Sequence, residues 1–283
     1  MLNEFLSGPV GLVLAGLLGL LVGSFLNVVI HRLPKMMEQR WAQECAEMTG
    51  APPPEQTPLN LMTPPSRCPS CGAGVRWHQN IPVVSYLWLR GRCASCQAPI
   101  GKRYPLVELL TGGLFAWVFS QHGASVSALA WFGFVAAIVA LAFIDWDTTL
   151  LPDDITLPLV WAGLICAALG WTQVSLPSAM WGAVGGYLSL WSIYWGFKLL
   201  TGKEGMGYGD FKLFAALGAW FGWQALIPMI LIASVIGSVI GIAMKFSSGL
   251  REGGYIPFGP FLAFAGLVAL VVGPGQVLAW LGL

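Results

Sequence analysis

Six carboxylates lie where a carboxylate is costly to place. Asp145 closes the apolar run Ala142-Phe143-Ile144-Asp145-Trp146-Asp147. Asp147, Asp153 and Asp154 follow within nine residues of it, Asp210 closes Gly205-Met206-Gly207-Tyr208-Gly209-Asp210, and Glu108 opens another apolar run. Ionisable groups in or beside a membrane span are rare enough to mark function by default. Two carboxylates in one site do not both ionise easily and share a proton. One then acts as general base on a water while the other, as general acid, protonates a carbonyl, which is the chemistry of aspartyl proteolysis. Gly207 and Gly209, just before Asp210, permit backbone conformations that a side chain blocks and let a substrate strand approach closely. Plainer uses compete: Asp154 and Asp210 as helix N-caps, Asp147 and Asp153 as loop polarity, and Glu108 as a partner of a helix dipole.

The second constellation is Cys68-Pro-Ser-Cys71 and Cys93-Ala-Ser-Cys96, two C-x-x-C pairs with 21 residues between them. Each pair can grip a metal from a tight knuckle, and the two close a tetrahedral thiolate site for structural zinc. Gly72 and Gln97 follow the second cysteine of each knuckle, where turn geometry is needed. Disulfides are the rival use of these thiols, and a reducing cytoplasm disfavours them. Cys45 has no evident partner, and Cys166 lies in an apolar run as a small packing residue.

The elements that carry these groups are membrane helices. Of 283 residues, 56% are hydrophobic and only 10% charged, and the mean hydropathy is +0.72. An ordinary soluble domain carries about a quarter charged residues, and a disordered chain is never so apolar. Runs free of Asp, Glu, Lys and Arg cover Phe5–Ile30, Leu109–Ile144, Ile155–Phe197, Leu213–Met244 and Gly253–Leu283. A spanning helix takes about 20 apolar residues, so the first and last runs hold one span each and the other three hold two, giving about eight. Turns fall at Gln121-His122-Gly123, Gly170–Ser178 and Gly222-Trp223-Gln224, with one long tilted helix as the rival for Leu213–Met244.

Charge supports eight. With the N-terminus outside, all fourteen Lys and Arg fall on the cytoplasmic side, nine of them between His31 and Arg103; a single span over Leu213–Met244 puts Arg251 outside. The first span lacks a basic leading region and reads as an anchor, not a signal peptide. Two crossings separate Asp145 from Asp210, so both carboxylates return to the cytoplasmic edge and can meet. Ala15, Gly19 and Gly23, and Ala233, Gly237 and Gly241, form small-residue stripes that serve helix packing. The expected fold class is an all-α polytopic membrane protein with a zinc-binding cytoplasmic insertion. Residues 1–30 form the first transmembrane helix, 31–103 the insertion with a proline-rich loop at 51–65, and 104–283 the transmembrane domain that carries the candidate aspartyl pair.

Other chemistries read weakly. The glycines at 205–209 lack the Gly-Lys-Ser/Thr of a phosphate loop, no G-x-G-x-x-G follows a strand, and His31, His78 and His122 are scattered. A net charge of +1 gives no electrostatic footprint for nucleic acid.

Several segments in this order resemble the bacterial type IV prepilin peptidases. They are Gly23-Ser24-Phe25-Leu26-Asn27-Val28-Val29-Ile30-His31-Arg32-Leu33-Pro34, the double C-x-x-C insertion, Arg103-Tyr104-Pro105-Leu106-Val107-Glu108, Ile144-Asp145 with Leu151-Pro152-Asp153, Gly207-Tyr208-Gly209-Asp210, and Ile256-Pro257-Phe258-Gly259-Pro260. The resemblance covers nearly the whole chain. It implies that Asp145, seven residues before Pro152, and Asp210 are the catalytic pair. It implies prepilin and pseudopilin substrates with a basic leader and an apolar helix, met in the bacterial inner membrane among lipid. It implies cleavage after a glycine at the cytoplasmic face, followed by methylation of the new N-terminal residue from S-adenosylmethionine, in service of type IV pili or type II secretion. Methyl transfer rests on the resemblance alone: no acidic residue with a glycine-rich turn after a strand marks a methyl-donor site.

Two other functions stay open on the residues. A non-enzymatic membrane assembly factor with a zinc module would keep zinc and lack proteolysis, and a transporter using Asp145 and Asp210 as a proton relay would need a polar path that the charge-free runs do not offer. Charge also suggests how a basic leader would be read. The insertion is net +5, from nine basic residues against Glu38, Glu44, Glu47 and Glu55, whereas residues 145–154 carry four carboxylates and no base. Asp153 and Asp154 are therefore the expected leader-binding carboxylates, with helix capping as their plainer use.

Overall fold

The computed structural model describes residues 8–52, 59–246 and 256–273, with 275, 276 and 279. Arg251, part of Gly253–Leu283 and the centre of the proline-rich loop lie outside the described residues. Regular structure among the described residues is helical, apart from two isolated β-bridges. Eight of the described helices have 14 residues or more, matching the expected all-α membrane class. Three, Pro9–Thr49, Val126–Thr148 and Trp223–Phe246, are long and apolar enough by length and composition to cross a membrane. The chain divides into two compact units, Met1–Ala128 and Leu129–Leu283.

Unit 1 is built on α1 (Pro9–Thr49), α2 (Val84–Trp88) and α3 (Arg103–His122). Pro9 pre-sets the first turn of α1, and Gly50, at φ 65°, ends it. The helix does not stop with the apolar run at Ile30 but continues through Pro34 to Thr49. Its polar half is rich in Glu, Gln, Arg and Met, so polarity there marks a solvated helix and not a loop. The small-residue stripe of α1 packs on α3. A Cβ on Gly19 would lie 2.8 Å from the Gly112 Cα, and one on Gly23 would lie 2.7 Å from the Glu108 Cα. Leu14, Leu17, Leu18, Leu21 and Phe25 of the same helix are exposed, an apolar face suited to lipid.

Unit 2 contains most of α4 (Val126–Thr148), then α5 (Asp153–Ala168), α6 (Leu176–Thr201), α7 (Tyr208–Phe221), α8 (Leu226–Phe246) and α9 (Gly259–Val272). The run Leu213–Met244 is two helices. Gly222, at φ 82°, closes α7, and a 3-10 turn at Trp223–Ala225 opens α8. Ser175 accepts from the Ser178 N–H at the start of α6, which places the expected polar turn.

At the centre is α7, buried continuously from Leu213 to Phe221. It crosses α6 where the Gly182 and Gly218 backbones touch, an approach open only to glycine. The Trp220 indole N–H donates to the Leu159 carbonyl at 2.9 Å, and its ring fills the space that a Cβ on Gly163 would take. Trp131, Phe134, Trp220 and Phe221 stack in one aromatic cluster with centroids 5.0–5.4 Å apart. This packing anchors the C-terminal half of α7, whose first turn carries Asp210.

Candidate active site

Asp145 lies in the last turn of α4 and Asp210 in the first turn of α7; they are 4% and 6% exposed. Leu151 lies against Gly209, next to Asp210, and against Gly259, which abuts the Asp145 carboxylate, so the two carboxylates come to one place, near enough to interact electrostatically. The cap of α7 is Gly207, which rules out Asp210 as an N-cap. Asp210 Oδ1 is fully buried and has no hydrogen-bond partner among the described residues, so it stands out from an ordinary buried carboxylate.

Glycine backbone and the Leu151 side chain border the pair. Gly259, first residue of α9, presses on Asp145: a Cβ there would lie 2.5 Å from Oδ2 and 3.1 Å from Leu151 Cδ1. Gly209 meets the other side of the same leucine, its Cβ position being 2.6 Å from Leu151 Cβ. Leu151 is thus a wedge under both glycines. Neither Gly207 nor Gly209 has a positive φ. The need for glycine at 209 is the close approach to Leu151, while a Cβ on Gly207 would meet nothing nearer than Asp210 Oδ2, at 3.8 Å. Gly259 was visible in sequence only as part of Ile256–Pro260; nothing in its spacing linked it to Asp145.

The rim of the pair is charged. Asp153 and Asp154, both exposed, open α5 behind the cap residue Pro152, so Asp154 is not the cap. Asp147 is exposed in the last turn of α4, not in a loop. The Lys212 ammonium donates to both Asp153 oxygens at 2.7 Å. Behind the glycine loop, Lys198 binds Glu204 at 2.8 Å and the Tyr194 hydroxyl at 3.2 Å, and Tyr194 and Tyr208 rings pack at 5.2 Å. These contacts fasten residues 204–208 to the end of α6. Sequence reasoning missed Lys212, Lys198 and Tyr194, which lack a motif: Lys212 pairs with Asp153 at the start of another helix, Lys198 with Glu204 in the loop, and Tyr194 stacks on Tyr208.

Glu108 is not a dipole partner. It lies more than a turn inside α3, is buried, and accepts the Val83 N–H at 2.7 Å, tying the segment after the first cysteine knuckle to α3.

The four cysteines converge. The sulfurs of Cys68, Cys71, Cys93 and Cys96 all lie within 4.8 Å of one another. The knuckles repeat one design: Gly72 N–H donates to Cys68 O and Cys68 N–H to Ala73 O, while Gln97 N–H donates to Cys93 O and Cys93 N–H to Ala98 O. Gly72 and Gln97 take φ of 72° and 59°, as turn geometry requires. The Cys68 and Cys96 sulfurs are 3.8 Å apart, too far for a disulfide bond of about 2.05 Å. A tetrahedron with metal–sulfur bonds of about 2.3 Å has edges of about 3.8 Å, so the donor set fits a four-thiolate metal. Backbone N–H groups of Cys71 and then Ser70 bring the Cys68 thiol down to about 6, while Cys96, against the pull of the Ala98 N–H, is raised to about 11 by hydrogen bonds to Cys71, Cys93 and Cys68, so the clustered thiols share their protons.

Residues 17–122 match the model of the bacterial Peptidase A24 N-terminal domain, and residues 131–242 match that of the type IV leader peptidase family. A prepilin leader peptidase/N-methyltransferase of Pseudomonas aeruginosa is 53% identical over 96% of this chain and 94% of its own length. The chain belongs to the type IV leader peptidase family. Other family members named prepilin leader peptidase/N-methyltransferase are similar to it: that of Stutzerimonas stutzeri is 53% identical over 95% of this chain and 94% of its own. That of Aeromonas hydrophila is 52% identical over 91% of this chain and 89% of its own. No solved structure matches the chain.

Proposed function

We propose that this protein is a membrane aspartyl endopeptidase that removes the basic leader from prepilins and pseudopilins and N-methylates the new N-terminal residue. The observation that carries the peptidase reading is the buried carboxylate pair, Asp145 and Asp210, in a chain of the leader peptidase family. One carboxylate, ionised, takes a proton from a water as that water attacks the scissile carbonyl. The other, protonated, donates its proton to the carbonyl oxygen and then accepts one back as the amine leaves. Which aspartate begins protonated is a property of the pair. Burial by Leu151, Gly259 and the first turn of α7 keeps bulk water from the pair and strengthens its electrostatics. Gly207 presents a side-chain-free edge beside Asp210, along which the extended cleavage segment runs, while Gly209 lets the backbone there close on Leu151.

The four cysteines hold structural zinc. All four positions are protein thiolates, so the metal stiffens residues 67–99 and takes no part in cleavage. Methyl transfer is carried by what the relatives are named, with S-adenosylmethionine as methyl donor. The positive-inside count favours an inner-membrane, multi-pass topology with the N-terminus periplasmic and both the insertion and the aspartates facing the cytoplasm. Asp153 and Asp154 receive the leader's basic residues at the rim.

Incubation of the purified protein with a prepilin, with and without S-adenosylmethionine, tests the reading. Leader loss in both samples and an added methyl group only with the donor are expected. An intact prepilin in both would refute the peptidase assignment.

A further inference from the structure

The Lys212–Asp153 pair stands at an unusual place. Lys212 is two residues beyond Asp210 in α7, and it is the one residue from Asp210 to Phe221 that is not buried. Asp153 is two residues beyond Leu151, which touches Gly209 and Gly259. The start of α5 and the start of α7 are therefore joined twice at the edge of the carboxylate pair: by the Leu151–Gly209 contact below, and by the ion pair at the rim. The Lys212 ammonium, 26% exposed, holds both oxygens of Asp153, 54% exposed, at 2.7 Å. A lysine near a helix N-terminus is opposed by the helix dipole, so the carboxylate, not the helix, holds it there. In this geometry a primary ammonium already occupies the carboxylate that faces incoming positive charge.

We infer that Lys212 is a tethered competitor for the leader: its ammonium fills the Asp153 carboxylate, and a Lys or Arg of the substrate's basic leader takes that place when it binds. The inference rests on the leader-peptidase reading above and adds a specificity-determining residue to it. The exchange replaces one ion pair by another and makes or breaks no covalent bond. It sets a threshold: a leader with one base gains little over the resident lysine, while a leader with several occupies Asp153 and the exposed Asp154 together. A solvent-exposed pair is weak enough to be exchanged in this way.

The rival account is a plain staple, in which the pair only holds α5 against α7. The two accounts differ in the specificity ratio, the kcat/KM on a prepilin with several leader bases divided by that on the same prepilin with those bases changed to Gln. Lys212→Met keeps the apolar stem and removes the competitor, and the ratio should rise roughly two- to fivefold, the range an exposed ion pair supports. Lys212→Arg keeps the fork on Asp153, so its ratio should stay at or below that of the wild type. Adding Asp153→Asn to Lys212→Met should erase the gain. A ratio equal to or lower than that of the wild type in Lys212→Met overturns the exchange. If Lys212→Met does not accumulate, a ratio for Lys212→Arg well above the wild type overturns it equally, and one at or below it supports it. Wild-type protein that cleaves neither prepilin refutes the leader-peptidase reading and this inference with it. Wild-type protein that cleaves both, with no change of ratio in the variants, overturns this inference alone.

Discussion

Gly259 lies against the Asp145 carboxylate so closely that a methyl group on its Cα would sit 2.5 Å from Oδ2. The first residue of α9 thus bounds the carboxylate of α4, although more than a hundred residues separate the two in sequence.

Gly259→Ala should therefore leave the protein folded and inserted while lowering turnover by about 10²-fold, the loss expected when a reacting group is displaced by about 1 Å. Steady-state cleavage of a prepilin checks this, with the loss falling on kcat more than on KM. Unchanged turnover would show that the contact is incidental.

Gly209→Ala should be impaired through Leu151, whose Cβ lies 2.6 Å from the new methyl position. Because the obstacle is a side chain, Leu151→Gly, which removes that Cβ, should recover part of the activity in the double variant, whereas Leu151→Ala keeps the obstructing atom and should recover less. Two losses that simply add would show that the wedge does not couple them.

Purified protein should contain about one zinc per chain, following the four-thiolate set. Cys68→Ser should lower the metal content, measured by elemental analysis, and make residues 67–99 more accessible to protease. Peptidase activity should suffer less than methylation, because the aspartates lie outside the cysteine segment. Metal-free wild-type protein with its four thiols paired as disulfides would contradict the assignment.

Asp153→Asn together with Asp154→Asn should raise KM for a leader with several Lys or Arg, since the rim then loses two carboxylates and releases the Lys212 charge. The defect should shrink for a neutralised leader and at high salt, where charges separated by more than about 3 Å in 1 M salt are screened. Equal impairment on charged and neutralised leaders would show that rim charge does not read the substrate.

Much of this site was legible in the residues. Asp145 and Asp210 stand at the ends of apolar runs, and the parity of crossings brings them to one edge without any knowledge of packing. The C-x-x-C spacing forecasts the convergence of Cys68, Cys71, Cys93 and Cys96. The turn at Gly222-Trp223-Gln224 is where the chain breaks. Three features were not legible. Hydropathy marks where apolar residues stop, not where a helix stops, so α1 runs past Ile30 to Thr49. Glycine type does not distinguish conformational freedom from close approach, and Gly209 proves to need the second. Pairing across helices, as in Lys212–Asp153 and Gly259–Asp145, depends on helix rotation, which no local pattern encodes.

The catalytic claim is tested most directly by prepilin cleavage with wild type, Asp145→Asn and Asp210→Asn, each shown to be inserted and to retain its metal. Each general acid–base step contributes about 10²–10⁴-fold, so either substitution should abolish detectable leader removal, while Asp147→Asn stays close to wild type. Near-normal processing by either Asn variant would contradict the assignment of the Asp145–Asp210 pair as the catalytic machinery.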